Sequence, residues 1–505
     1  MGGVNKNGMR QVGRPKNPPH TPKPWEELLN TKNKNTRTTK LRLLPTKQQE
    51  EKLDKHGDEI AKLWNETTYK RRRMFFEKKH VNLKSTYKES YKKYKNIIGP
   101  ASTQQVLNKN NQAWNNFFKQ LKLKKQGKLP PFIKKISPPG YWKDRKLGKR
   151  IKRILVRNDE YYVEKINDNE GLIILKKLNM RIRYVGKIMW SGKQGTLEII
   201  KEDGEWHAHL PIMVGEKPAR RNPRGKVEGV KKIRRGGRII ERNPESIKQY
   251  DPKGSHKAFI DIGVNNLFAI VTTSGLGILV KGGVVKSEHF YWKGEKALWQ
   301  SVRDELRSNG VRGWEYYHRL VRRVERKCHG RLEHLYRTSV RFVSELLWEL
   351  GVSEVYMGYP MYITQGNGNE YNTNIWWFRR ITRWLGETLG EYGIELYLVP
   401  EPYTSLECSV CGNIHGKGRV YRGLYVCEKT GRGMNSDLNA SNNIARRVGY
   451  RVEVRRILSY IVTHNGLRPI TLLRGNARDP SGGNPAFHSS SKLFSAGQYY
   501  KVYAN

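Results

Sequence analysis

Cysteine is almost missing from this sequence: there are four in 505 residues, three of them between positions 408 and 427. A count so low and so clustered excludes a disulfide framework and points to a reducing compartment. Acidic residues are also scarce, 46 against 96 Lys and Arg, which leaves a formal charge of +50. That surplus exceeds what solubility needs and makes a polyanion the fitting partner, gathered by attraction and by counterion release. No stretch approaches the roughly eighteen apolar residues of a membrane span, and the mean hydropathy is −0.77. The opening MGGVNKNGMRQVGRPKNPPH lacks the apolar centre of a secretory signal. A soluble cytoplasmic protein with no membrane partner is expected. No internal repeat is visible, which sets repeat architectures aside.

What is present is a long, basic, aromatic-rich chain. With 13 Trp and 27 Tyr it reads as a folded nucleic-acid binder rather than a basic tail, and its length suits two to four domains. Residues 1–35 are Pro-, Lys- and Asn-rich without periodicity and read as a mobile basic arm. A short strand at residues 36–45 stops at Pro45. Residues 46–128 then turn helical, with Leu53, Ile60, Leu63 and Trp64 near a 3.6 period. The run Lys70, Arg71, Arg72, Arg73 reads as a phosphate-contacting face, with a merely solvated helix face as the alternative. A Pro-broken basic segment contributes Lys134, Lys135, Lys149, Arg150 and Arg153 as further nucleic-acid contacts. From there to residue 214 short alternating segments describe a small antiparallel barrel or sandwich. The strand at 36–45 is best explained as its first strand, so the helical block is an insertion. Residues 215–256 read as a basic linker.

The block 257–404 with 431–447 opens as a meander (FIDIGVNNLFAIV, then ILVKGGVVK) and continues through a long helical region to two short strands, EVYMG and IELYLV. Three antiparallel strands followed by strands alternating with helices describe a ribonuclease-H-like sheet. After about Tyr450 the chain reads as an uninformative tail, 448–505.

Two-metal phosphodiester cleavage needs three or four converging carboxylates. Asp261 is a charge inside an apolar strand, costly unless paired or bound to a cation; a solvent-facing edge Asp is the bland alternative. Asp437 opens a helix on which Ala440, Ser441 and Ile444 follow at packing spacing; a plain helix N-cap is its bland alternative. The strand EVYMG carries Gly358 at its centre, so the remaining acid must come from elsewhere. Glu401 directly follows the apolar run LYLV and is the choice; Glu370 and no replacement at all are the alternatives.

Cys408-x2-Cys411 is a knuckle of the kind that holds zinc, and Cys427 opens a second. Thr430 stands where a fourth thiolate is needed. His415 can complete a Cys3His set; otherwise the insert 405–430 is a ribbon held by packing alone.

At these residues a resemblance becomes specific. Asp261-Ile-Gly-Val-Asn-Asn, Tyr403-Thr-Ser405 before Cys408-Ser-Val-Cys411-Gly, and Asp437-Leu-Asn-Ala-Ser-Asn-Asn-Ile444 resemble the RuvC-type nuclease domain of TnpB. These are transposon-encoded RNA-guided endonucleases related to compact type V CRISPR effectors. More loosely, LRLLPTKQQ and KLPPFIKK are similar to the family's opening segments. The resemblance implies an α+β multidomain fold: a RuvC-like domain with an inserted zinc-ribbon-like knuckle, and a wedge-like barrel interrupted by a helical recognition lobe. It implies that Asp261 and Asp437 are the first and third acids of a magnesium-dependent DNA nuclease with a guide RNA from the transposon end and double-stranded DNA as partners. A prokaryotic, nucleoid-associated setting goes with it. Most relatives carry glutamate where Gly358 stands; a subset including the Fanzor relatives carries it just before the Thr-Ser-Cys segment, the place of Glu401. A nuclease-inactive RNA-guided DNA binder is the alternative activity; a zinc-ribbon ribosomal or transcription factor leaves the strand Asp unexplained.

Overall fold

The computed structural model describes residues 22–29, 35–129, 133, 135–144, 148–202, 204–215, 231–235, 238–242, 245–360, 370–400, 406–416, 418–421 and 423–470. Lys134, Glu401 and the segment Tyr403 to Ser405 lie outside them. The described residues divide into two compact units, one within 1–32, 250–291 and 329–493, the other within 33–249 and 292–328. No described helix is long and apolar enough to cross a membrane.

The chain enters the first unit with β1 (Lys23–Pro24) and α1 (Trp25–Leu28), then passes to the second with β2 (Thr36–Leu44). Three helices follow: α2 (Lys47–Phe76), α3 (Leu83–Ile98) and α4 (Pro100–Lys125). Their starts are written locally. Thr46 and Gln49 form a reciprocal capping box, Asn82 accepts from the Ser85 amide, and Pro100 takes the first position of α4 behind Gly99 at φ +99°. Strands β3 (Arg153–Val156), β4 (Tyr161–Lys165), β5 (Glu170–Leu175), β6 (Met180–Val185), β7 (Gly192–Gln194), β8 (Leu197–Glu202) and β9 (Glu205–Val214) complete the unit's main sheet. Its order is β3-β8-β9-β2-β6-β5-β4, with β7 on β9, and every pairing is antiparallel. The early strand does belong to this sheet, lying between β9 and β6. One hydrophobic cluster joins sheet residues such as Leu41, Tyr184 and Trp206 to helix residues such as Leu53, Ile60 and Leu107. The helical block is an insertion in the chain but shares the sheet's core.

Arg71 departs from the expected phosphate-contacting face. It is completely buried, and its guanidinium donates to Thr86 Oγ1 (2.9 Å), Asn110 Oδ1 (2.7 Å), Asn111 Oδ1 (2.7 Å) and the Leu83 carbonyl (3.1 Å). Burial draws its pKa down to about 10, which leaves it protonated at neutral pH. A cation solvated by four neutral oxygens from α3 and α4 ties three helices together and cannot meet a phosphate. Arg72 donates to the Pro138 and Pro139 carbonyls and lies over Phe76 and Tyr141. Arg73 is exposed beside Glu77.

The expected linker contains a hairpin, β10 (Lys231–Arg235) and β11 (Arg238–Arg242). Then β12 (His256–Asp261), β13 (Asn266–Thr272) and β14 (Leu276–Lys281) form the meander of the first unit. The Val-Val pair expected to extend the third strand instead opens α5 (Gly283–Ser308), because Gly282 and Gly283 end the strand. The rest is α6 (Trp314–Glu349), β15 (Val352–Tyr359), a π-helical turn (Tyr371–Ile375), α7 (Phe378–Glu391), β16 (Glu395–Pro400), β17 (Leu424–Val426), β18 (Gly433–Asn435), α8 (Ser436–Arg447), β19 (Arg456–Thr463) and β20 (Gly466–Pro469). The unit boundaries fall within α5 and α6.

The sheet order is β1-β16-β15-β12-β13-β14-β19-β20. Its centre, β16-β15-β12, is parallel, and β12-β13-β14 is antiparallel. Two expectations are corrected at its edges. Residues 22–29 are no loose arm: Lys23 and Pro24 pair with β16, and Trp25 packs so closely on Gly386 that a Cβ there would sit 2.4 Å from the indole. Residues up to 470 are no tail: β19 pairs in parallel with β14 and turns through Thr463-His464-Asn465-Gly466 into β20. The alternating RILSYIVT with an Asn-Gly turn was the available signal.

Replacing Arg71 with Met orphans Asn110, Asn111 and Thr86 at once, so urea unfolding should show a loss of about 3 kcal/mol. Arg71→Lys should not restore it, since one ammonium cannot serve three helices, whereas Arg73→Ala should leave stability within about 0.5 kcal/mol.

Candidate active site and metal knuckle

The parallel strands bring their carboxyl ends to one sheet edge. Ile260 pairs with Met357, so Asp261 stands level with Gly358, and Gly358 pairs with Val399. Which face Asp261 uses follows from its neighbours. Phe259, two residues earlier, packs with Ile444 and Ala445 of α8, and Ala269, directly opposite Asp261, packs with Leu438 of α8. Residues two apart on a strand, and residues directly opposed on paired strands, share a face. Asp261 is therefore a half-buried residue on the face that α8 covers.

Helix α8 is fixed there by polar bonds as well as packing. Ser441 Oγ donates to the Ala269 carbonyl at 2.8 Å, anchoring α8 at the register of Asp261, and Asp437 lies one turn earlier on the same side. Asn266 Nδ2, at the start of β13, donates to Asp437 Oδ2 at 2.6 Å. Asp437 Oδ1 accepts from Ser436 Oγ at 3.3 Å and lies 3.9 Å from Arg419 Nη2. The N-cap is Asn435, whose Oδ1 accepts from the Asp437 and Leu438 amides. Asp437 is thus released from capping, and its carboxylate sits in the first turn, where the helix dipole favours negative charge.

The other acids are distributed as follows. Glu354 lies at the opposite strand end, engaged by Lys257 and by Tyr356 Oη at 2.6 Å. Glu370 accepts from Asn374 Nδ2 at 3.1 Å and pairs with His289 Nε2 at 2.7 Å. Glu401 lies outside the described residues. The strand leading to it ends at Pro400, whose carbonyl accepts from the half-buried Arg447 at 2.9 Å.

Beside α8 the ligand atoms of Cys408, Cys411, His415 and Cys427 all lie within 4.8 Å of one another. An ion with thiolate bonds near 2.3 Å sets such atoms about 3.8 Å apart, so a modest contraction makes a tetrahedral Cys3His site. His415 Nε2 faces Cys411 Sγ at 3.2 Å and its Nδ1 faces Glu428 at 3.6 Å, the outer partner that orients a ligating imidazole. Thr430 does not merely leave a gap. Its hydroxyl donates to Cys427 and, with its backbone amide, His415 and the Lys429 amide, brings that thiol down to about 6, while burial pushes Cys408 up. Gly412 (φ +80°) and Gly431 (φ +69°) follow Cys411 and Thr430 alike, in the left-handed turn each knuckle needs.

The knuckle rests on α8. Asn439 and Asn443 both donate to the Glu407 carbonyl at 2.7 Å, Arg446 donates to the Cys408 carbonyl at 3.0 Å, and Asn439 Oδ1 accepts from the Ser409 amide at 2.8 Å.

In the second unit, the basic residues singled out from the sequence are only partly brought together. Lys149 and Arg150 line, with Lys143, Lys152, Asp58 and Asn65, a surface cavity of about 520 Å³. Arg153 pairs with Glu198 at 2.9 Å over the Trp142 ring, and Lys135 is exposed apart from them.

A curated relative, the TnpB-like protein ORF457 of Acidianus two-tailed virus, is 40% identical over 454 residues, covering 88% of this chain and 94% of the relative. The chain belongs to the TnpB-like family. A family profile described as "Probable transposase" matches residues 238–364, and one described as "Cas12f1-like, TNB domain" matches residues 378–444. The CRISPR-associated endodeoxyribonuclease Cas12f1 of Sulfoacidibacillus thermotolerans is 40% identical over 55 residues, 11% of this chain and 13% of that protein. Among solved structures, a Cas12f1–sgRNA–target DNA complex aligns with a TM-score of 0.47 at 13% identity, over 79% of this chain and 83% of that one. The mini RNA-guided endonuclease CRISPR-Cas phi3 aligns at 0.39 and 11%, over 83% and 94%. In this TnpB-like chain, sequence reasoning missed Asn266, Arg419, Glu428 and Arg447. Asn266 stood within the quoted Asp-Ile-Gly-Val-Asn-Asn motif, and Glu428 directly follows Cys427; nothing in the pattern around Arg419 or Arg447 marked them.

Elemental analysis of purified protein should find about one zinc per chain. His415→Ala and Cys427→Ser should lose it, and Thr430→Cys should keep it.

Proposed function

We propose that this TnpB-like chain is an RNA-guided DNA endonuclease of a transposable element, cleaving double-stranded DNA beside a short flanking motif. The observation that carries the reading is that α8 covers the face of β12 on which Asp261 lies, while Asp437 opens α8 and accepts from Asn266 of β13. The order β16-β15-β12-β13-β14, parallel as far as β12 and antiparallel beyond it, supports a ribonuclease-H-like, RuvC-type nuclease domain over 257–404 and 431–447, with the knuckle of 405–430 inserted. The second unit is read as the wedge-like barrel (36–45 and 129–214) with its recognition lobe (46–128).

The donors fit divalent cations. Two carboxylates and a buried amide oxygen without a donor among the described residues, Asn266 Oδ1, are hard oxygen ligands or acceptors of the kind magnesium takes. Such ions would supply the Lewis acidity that activates a water and stabilises the leaving oxygen. Asp261 and Asp437 would hold them. Glu401 is assigned as the third acid because it directly follows the apolar run of β16 in the sequence. The Arg447 bond to Pro400 steadies the chain where it leaves β16. Arg419 offers a guanidinium at the Asp437 edge, suited to a scissile phosphate. The cavity of Lys143, Lys149, Arg150 and Lys152 is read as part of the surface that holds the guide RNA, itself from the transposon end. Pairing by that guide carries sequence specificity, and protein contacts run mostly to backbone.

A second reading, a guided DNA binder without cleavage, is favoured by one observation: Gly358 occupies the register level with Asp261.

The test is cleavage of a plasmid library by protein purified with its RNA, in magnesium. Asp261→Ala, Asp437→Ala and Glu401→Ala should each lose about a hundredfold or more in rate with guided DNA binding kept. Arg419→Ala should lower the rate without weakening binding. Full cutting by Glu401→Ala passes the role to Glu370, and guided binding without cutting by the wild type establishes the second reading.

A further inference from the structure

Asn266 has the chemistry of a positioning group and a polar atom left over. It is 6% exposed at the start of β13. A carboxylate oxygen only accepts, so the amide nitrogen must be the atom facing Asp437 Oδ2 at 2.6 Å, and Oδ1 must face away. That Oδ1 is buried and finds no donor among the described residues. An acceptor left so costs stability and calls for an explanation, and an absent ion is one of the standard ones. The adjacent Asn265 shows the contrast: its Oδ1 accepts from Lys286 Nζ at 2.7 Å, so of these two asparagines it is Asn266 whose Oδ1 has no donor among the described residues. The orphan sits within one side chain of Asp437.

We propose that Asn266 is a positioning residue for divalent-cation binding: its N–H group holds Asp437 in one orientation, and its Oδ1 is the acceptor for a hydrated divalent cation, whose waters donate. The inference rests on the reading of Asp261 and Asp437 as ion-holding acids. With Oδ2 engaged by Asn266, the oxygen of Asp437 left for an ion is Oδ1, which has only the longer contacts to Ser436 Oγ (3.3 Å) and Arg419 Nη2 (3.9 Å). Removing the asparagine lets the carboxylate rotate and removes the acceptor, without taking away any negative charge.

The experiment uses the full chain with its RNA and reads manganese binding directly, by the electron paramagnetic resonance signal of free Mn2+, without reference to cleavage. Thermal midpoints in chelator check folding. Asn266→Ala should bind Mn2+ about tenfold more weakly, and the magnesium concentration for half-maximal cleavage should rise by a similar factor. Asn266→Asp keeps the size and the acceptor but places a second carboxylate against Asp437. It should have a lower midpoint in chelator and a larger rise on adding Mn2+ than the wild type. Mn2+ affinity of Asn266→Ala within twofold of wild type, or no larger rise for Asn266→Asp, overturns the inference. If Asp437→Ala loses the ion while Asn266→Ala keeps it, only the role of Asn266 falls. If the wild type binds no more Mn2+ than Asp261→Ala and Asp437→Ala, both the role and the reading beneath it fall.

Discussion

Helix α8 crosses the carboxyl ends of the central strands, and its contacts decide how the rest of the first unit is used. Leu438, Ile444 and Ala445 bury its apolar stripe on the sheet. The Ser441 hydroxyl then bonds a strand carbonyl opposite Asp261, which sets the helix in register as well as in place. Burial alone would tolerate a small slide of the helix; a directed 2.8 Å bond does not. Asp437 inherits its position from that bond.

The same twelve-residue helix carries a second set of contacts on its other side. Asn439, Asn443 and Arg446 hold backbone atoms of residues 407–409, the lead-in to the cysteine knuckle. A run rich in asparagine is a poor helix former by intrinsic propensity, and here the side chains that lower it are the ones occupied by tertiary bonds. The knuckle and the acidic edge are thus supported by one element. Gly412 follows the same logic: a Cβ at that position would meet Arg446 Nη2 at 2.5 Å, so the glycine makes room for the arginine that secures the knuckle.

The second unit places its charges by a different rule. Three arginines adjacent in sequence meet three environments: Arg71 is buried among neutral oxygens, Arg72 spans two proline carbonyls and two aromatic rings, and Arg73 is exposed beside Glu77. Successive residues on a helix turn by about 100°, so a basic run is never a single surface. Salt bridges such as Arg150 with Asp58 and Arg153 with Glu198 leave the net charge as it is but engage basic side chains within the unit.

Periodicity made the strands of the meander, the helical character of residues 46–128 and the two short strands after the long helical region legible in the sequence. Spacing alone marked the cysteine knuckle and named His415 as its fourth member. These are local properties, carried by side-chain period and by ligands a few residues apart. Local pattern did not reveal which face of β12 would be covered, that Asn435 rather than Asp437 caps α8, that Trp25 would pack on Gly386, or that residues 456–469 would extend the sheet. Each depends on partners distant in sequence, such as Asn266 and Asp437, 171 residues apart. The amino-acid sequence by itself determined the element types, the charge and the identity of the acids and thiols. The placement of α8, with Asp437 in its first turn, over the face of β12 and β13 that carries Asp261 was decided only by the tertiary structure, because strand pairing and the register of a crossing helix are set by contacts that no local window contains.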